Sequence, residues 1–176
     1  MQTIVQKGHP ALKVIAKAIP KNEITGAKMS NIIERMREAL EACPDGVALA
    51  APQIGEALRL FIVHPRVWKE GSLSKDEPLT YINPVLIRQS KKKEAMDEGC
   101  LSVRGVYGKT RRSTRATVEA YDEHGRKFTR GAGGILAQIF QHEIDHLDGT
   151  LFIDHATDLV LREQETSANI KNQNVK

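Results

Sequence analysis

The chain has 176 residues, 40% hydrophobic and 27% charged, with 26 basic against 22 acidic side chains for a formal net charge of +4. These values fit one ordinary globular domain and exclude a membrane-spanning helix, since no apolar run approaches the roughly 18 residues such a helix needs. Two cysteines, Cys43 and Cys100, exclude a disulfide framework, and the N-terminus Met1-Gln2-Thr3-Ile4 lacks the charged-then-apolar pattern of a signal peptide, so a reducing, cytoplasmic compartment is expected.

In chain order, Met29, Ile32, Ile33, Met36 and Leu40 recur at helical spacing and predict an amphipathic helix over 28–42, stopped by Pro44, Asp45 and Gly46. Leu58 to Val63 and Tyr81 to Ile87 read as strands, with Asn83-Pro84 marking an edge or a bulge in the second. Between them, 65–79 reads as a long surface loop. Thr117 to Tyr121 alternates as a strand, and Asp122-Glu123-His124-Gly125 turns it into a second strand over Lys127 to Thr129. Glycines from Gly131 to Gly134 then lead into a helix over 135–147. After Asp158 a short polar helix is expected, fading into a tail. The basic runs Lys91-Lys92-Lys93 and Arg111-Arg112 carry no interleaved aromatics and read as solvated faces. Short antiparallel strands in small sheets around a central helix make an α+β domain, expected over 1–160, with 161–176 a polar, partly disordered C-terminal tail.

The central helix carries His142-Glu143-Ile144-Asp145-His146. Residues four apart share a helix face, so both imidazoles can reach one cation, and Glu143 beside the first can take a proton from an attacking water. A third ligand is needed. The metzincin pattern fails, because Phe152 stands where its third histidine would be and His155 is out of phase. A thermolysin-like set would require Glu165, beside the polar tail. Cys100, in the tight segment Glu98-Gly99-Cys100-Leu101-Ser102, is the stronger candidate, since its thiolate suits a borderline divalent metal. Cys43, at a helix end, reads as a small buried hydrophobe.

Three segments together resemble peptide deformylase: Gly46-Val47-Ala48-Leu49-Ala50-Ala51-Pro52-Gln53, Glu98-Gly99-Cys100-Leu101-Ser102, and Gln141 through Gly149. The likeness extends from about Ile4 to Ile153. Ala48 replaces the second glycine of the first motif, and Arg104 the proline common after the second. The resemblance implies a metallohydrolase that removes the N-terminal formyl group from the initiator methionine of new polypeptides. Cys100, His142 and His146 would hold one divalent ion, Fe2+ in the family, with Zn2+, Ni2+ or Co2+ also accepted by such donors. Glu143 would move the proton, while the Gln53 amide and the Leu101 backbone N–H would face the oxyanion. Backbone near Val47 and Ala48 would pair with an extended substrate; Val47, Met96, Ile135 and Ile139 would line a pocket for the methionine side chain; Glu98 paired with Arg112 would brace the cysteine segment. The expected partners are nascent formyl-methionyl chains, with transient ribosome contact, no membrane and no sequence-specific nucleic acid. The competing readings are a thermolysin-like metalloprotease and a deformylase-like metal-binding protein without turnover.

Overall fold

The computed structural model describes residues 3–68 and 78–161. Helix α1 spans Ala27–Glu41, one residue off its expected limits at each end, and buries the predicted stripe from Met29 to Leu40. Strands β1 (Ala48–Ala50), β2 (Leu60–Val63), β3 (Thr80–Gln89), β6 (Arg115–Tyr121) and β7 (Lys127–Gly133) form an antiparallel sheet in the order β1-β2-β3-β6-β7. A second sheet holds β4 (Lys93–Gly99), β5 (Val106–Ser113) and β8 (Thr157–Leu161), with β5 in the middle. Helix α2 spans Gly134–Leu147 and packs against strands of both sheets.

The first sheet is covered on both faces where it meets the helices, which explains why β2 is a continuous apolar run. Successive strand residues point to opposite faces. Leu49, Leu60 and Ile62 therefore join the core under α1, while Ala48, Ala50, Phe61 and Val63 join the core under α2. In the latter, Phe61 stacks on Tyr81 at 4.5 Å between ring centroids, and Phe140 from α2 lies 5.2 Å from Tyr81. This cluster fixes the depth at which the HExxH helix sits.

One expectation is narrowed and others need correction. β3 is an interior strand, so of the edge and the bulge expected at Asn83-Pro84 it is the bulge that holds: Pro84 falls where the register shifts between Ile82 and Val85, and its missing N–H costs no ladder bond. Asn83, at φ 50°, is held there by two hydrogen bonds exchanged with the backbone of Ile19. Gly131 to Gly133 belong to β7 and are extended, pairing with Arg115 to Thr117; only Gly134 takes a positive φ, 55°, as the chain turns into the helix. The segment after Asp158 is a strand rather than a polar helix, because Leu159-Val160-Leu161 pairs along the side of β5 that would otherwise be an open edge. Leu161, assigned to the tail from sequence, thus pairs with Val106. Pro65–Trp68 forms a 3-10 turn; the rest of the expected loop to residue 77, and the tail beyond 161, lie outside the described residues.

Phe140 is fully buried at the contact of α2 with the aromatic pair. Phe140→Ala is expected to lower unfolding free energy by about 3–5 kcal/mol, measured by urea denaturation. A loss below about 1 kcal/mol would show that this cluster does not anchor the helix.

Candidate metal centre

The two histidines of α2 lie one turn apart on the same face, with ring centroids 4.9 Å from each other. Cys100 follows directly on the end of β4, and its Sγ lies 3.2 Å from His146 Nε2. One ligating atom from each of Cys100, His142 and His146 falls within 4.8 Å of the others. Glycine precedes Cys100 where space is tight: a Cβ on Gly99 would stand 2.8 Å from the Tyr107 ring, which lies across the β4–β5 pair and would have to move. Close passage of β4 over that ring sets where the sulfur emerges. Gln138 and Gln141 tie α2 to the same sheet, the first by donating to Asp97 O at 2.8 Å, the second through paired bonds to the Ser113 backbone.

His142 is oriented by partners behind it, whereas His146 Nδ1 is buried with no hydrogen-bond partner among the described residues. His142 Nδ1 is 3.3 Å from Glu98 Oε1, so its Nε2 is the nitrogen available to a cation. Glu98 in turn receives a two-pronged ion pair from Arg112, at 3.0 and 3.1 Å, with both side chains buried. Arg112 also donates to Asp145 Oδ2 at 2.6 Å, and that oxygen lies 3.2 Å from His155 Nε2. The expected Glu98–Arg112 pair is therefore the middle of a chain running from His142 out to an exposed histidine. From sequence, neither Asp145 nor His155 has a supporting role: His155 enters only as an out-of-phase ligand, and Asp145, inside HExxH one position before His146, is the available signal. Phe152, which excluded the metzincin pattern, packs near-parallel to the His142 ring at 6.3 Å. Glu165 lies outside the described residues.

Around the sulfur, Ser102 N and Gln53 Nε2 point at Cys100 Sγ from 3.4 and 3.5 Å. Gln53 is buried and its amide cannot flip, because Oε1 accepts from Ala50 N at 2.8 Å while Nε2 also reaches Ser102 Oγ at 3.2 Å. Glu143 is buried, and its Oε2 has no hydrogen-bond partner among the described residues. Burial raises its carboxyl to about 7, with the charges of Glu98 and Asp145 adding and those of His142 and Arg112 opposing. A carboxyl near neutrality can both accept and return a proton.

These groups open onto a cleft of about 290 Å³ lined by Val47, Ala48, Leu101, Ile135, Ile139 and Glu143, among others. Ile139 is buried at its floor, whereas Ile135 is half exposed. Met96 does not reach it: the wall contributed by β4 begins one residue later, at Asp97. Val103, Arg104 and Tyr107 line it without having been expected to. A set of one sulfur and two imidazoles, with His146 buried and Cys100 and His142 part-buried, beside an unpartnered carboxylate oxygen, fits a four-coordinate divalent metal with one position left open.

Burial pushes the Glu98 carboxyl up, but hydrogen bonds and charge from His142 and Arg112 outweigh it and hold it at about 2, below its ordinary 4.5. Its stabilising contribution is therefore complete above about pH 4.5 and is lost as pH falls toward 2. In chelator-treated protein, urea midpoints at pH 6 and pH 3 should differ more for the wild type than for Glu98→Gln. Equal differences would remove Glu98 from the acid response.

A model of the family described as polypeptide deformylase matches residues 1–162. A peptide deformylase of Dictyoglomus thermophilum is 39% identical over 166 residues, covering 94% of this chain and 99% of its own length. One from Carboxydothermus hydrogenoformans is 40% identical over 157 residues, covering 89% and 94%. Among solved structures, the peptide deformylase of Thermotoga maritima superposes with a TM-score of 0.77 at 33% identity, covering 89% of this chain and 98% of that one. The Synechococcus elongatus enzyme in complex with actinonin gives 0.77 at 32%, covering 89% and 79%. With a family match over most of its length and relatives of matching size, this chain belongs to the peptide deformylases, the metallohydrolases that remove the N-terminal formyl group from nascent polypeptides.

Proposed function

We propose that Cys100, His142 and His146 hold the catalytic metal of this deformylase, and that Glu143, Gln53 and Leu101 work on the formyl group. The observation that carries this reading is the convergence of the three ligating atoms beside the unpartnered oxygen of Glu143. A divalent cation held there supplies a Lewis acid for the formyl carbonyl and makes water a nucleophile near neutral pH. We assign Fe2+ from the family resemblance; the same donors accept Zn2+, Ni2+ or Co2+.

Glu143, raised to about 7, takes a proton from the attacking water and delivers it to the departing amine, so that formate and a free N-terminus result. Gln53 and Leu101 line the cleft, and we assign the Gln53 side-chain amide and the Leu101 N–H as the donors to the oxyanion. The Gln53 amide is held through Oε1 by Ala50 N and through Nε2 by Ser102 Oγ, so the Nε2 hydrogen that points at the Cys100 sulfur is the one it offers the oxyanion, an effect typically of about 3–4 kcal/mol for one such donor.

β1 and β4 are edge strands of their respective sheets, and both border the cleft at Ala48 and Gly99. An extended substrate can therefore bond to strand edges through its backbone, leaving its first side chain to Val47, Ile135 and Ile139. The Ala48 methyl belongs to the apolar cluster beneath α2, so replacing glycine there puts most of the added volume into the core. The catalytic domain, on this reading, runs through Leu161. Its substrates are formyl-methionyl chains met at the ribosome in a reducing, cytoplasmic compartment. No helix of the described residues is long and apolar enough to cross a membrane.

Glu143→Ala is expected to keep its metal and lose about 10²–10⁴ in kcat/KM on formyl-Met peptides; near-normal turnover would overturn the proton-transfer role. Cys100→Ala should lose bound metal, whereas Cys43→Ala, buried in the core under α1, should retain it. Equal metal content in both variants would refute the ligand set. Cleavage of unformylated peptides as fast as formylated ones would favour the protease reading.

A further inference from the structure

The two basic runs read from sequence as solvated faces become one surface in the fold. Lys93 pairs with Ser113, and Ala95 with Arg111, at the start of β4 and the end of β5. The links between the two sheets run side by side there: Thr114 N bonds to Lys92 O at 3.1 Å, and Ser90 N to Arg115 O at 2.9 Å. The hydroxyls of Ser90 and Thr114 meet at 3.1 Å between them. Residues 88–94 and 111–115 thereby gather Arg88, Lys91, Lys92, Lys93, Arg111, Arg112 and Arg115 against a single acid, Glu94. Since the whole chain has a net charge of only +4, the remainder of the molecule is net acidic.

Two of these cations are used internally. Arg112 points inward to Glu98 and Asp145, and Lys92 pairs with Glu94 at 2.7 Å. Arg88, Lys91, Lys93, Arg111 and Arg115 are exposed and have no carboxylate at ion-pair distance among the described residues. Their backbones are locked in paired strands and stitched turns, so like charges are held together on a frame that cannot relax by moving apart. Such a cluster sets up a positive potential that attracts a polyanion.

We propose that this surface binds the phosphate backbone of duplex RNA, independently of sequence. Neither stretch contains an aromatic side chain on which an unpaired base could stack, which disfavours single strands. Exposed lysine and arginine side chains are the donors that phosphate oxygens take. None of these residues lines the catalytic cleft. Strand β4 runs from the cationic surface at Lys93 to Gly99 beside the metal ligand, a separation of roughly 20 Å at strand rise, so RNA bound at one end leaves the cleft open to a peptide at the other.

The test is fluorescence-anisotropy titration of the full-length, metal-loaded protein with an RNA duplex of about 16 base pairs. Wild type should bind with log K falling against log salt at a slope of about −3 to −4 between roughly 50 and 200 mM. Lys91→Glu, Lys93→Glu and Arg111→Glu combined should weaken binding tenfold or more, flatten the slope, and leave kcat/KM on a formyl-Met dipeptide unchanged. Lys7→Glu, Lys17→Glu and Lys28→Glu combined, the same change in net charge at exposed sites elsewhere, should bind as wild type. Equal loss in both triple variants would overturn the assignment to this surface. Equal or tighter binding to single-stranded RNA, poly-glutamate or phosphatidylglycerol vesicles would overturn the assignment to duplex RNA, as would no binding at the lowest salt.

Discussion

The buried ion pair between Glu98 and Arg112 is the interaction on which the rest of the site depends. It joins neighbouring strands of the smaller sheet, and through Glu98 to His142 and Arg112 to Asp145 it grips the HExxH helix at two places. Removing two charges from water costs several kcal/mol per ion, which a well-packed apolar pair would avoid. Its persistence is explained by what it orients: no aliphatic pair could accept a hydrogen bond from a metal-ligating imidazole. The cost is limited because both carboxylate oxygens and all three guanidinium nitrogens are engaged.

With that brace in place, the chemistry follows from where edges and charges fall. The cleft forms where β1 and β4, one edge from each sheet, border the same helix, so substrate backbone and metal ligands share one origin in the fold. Glu143 shows how neighbouring residues of one helix receive opposite treatment. Asp145 is half-buried against Arg112 and His155, whereas Glu143 is buried on the cleft wall with one oxygen unpartnered and its carboxyl near neutrality. Position on the helix face, rather than residue type, separates the proton carrier from the brace.

Much of this was legible in the chain. The stripe from Met29 to Leu40 defined α1 almost to the residue, because an amphipathic period of 3.6 survives any tertiary arrangement. Cys100, His142, His146, Glu143 and Gln53 lie together as their motifs required. Strands β4 and β5 were missed because Lys93 to Gly99 and Val106 to Ser113 are polar and poor in β-branched residues; they are strands because they pair and cover α2, not through propensity. β8 was missed because all its residues are exposed and it is a strand through its pairing with β5 alone. The register that stops Met96 short of the cleft, and the pairing that merges Lys91–Lys93 with Arg111, depend on contacts distant in sequence, which no local pattern encodes.

The central claim is that one sulfur and two imidazole nitrogens bind a single cation. X-ray absorption at the metal edge of anaerobically purified protein tests it directly. The account predicts one sulfur at about 2.3 Å and two nitrogens at about 2.0–2.1 Å, with the sulfur shell absent in metal-reconstituted Cys100→Ser. A shell of oxygen and nitrogen alone in the wild type, or a sulfur shell that survives the substitution, would contradict it.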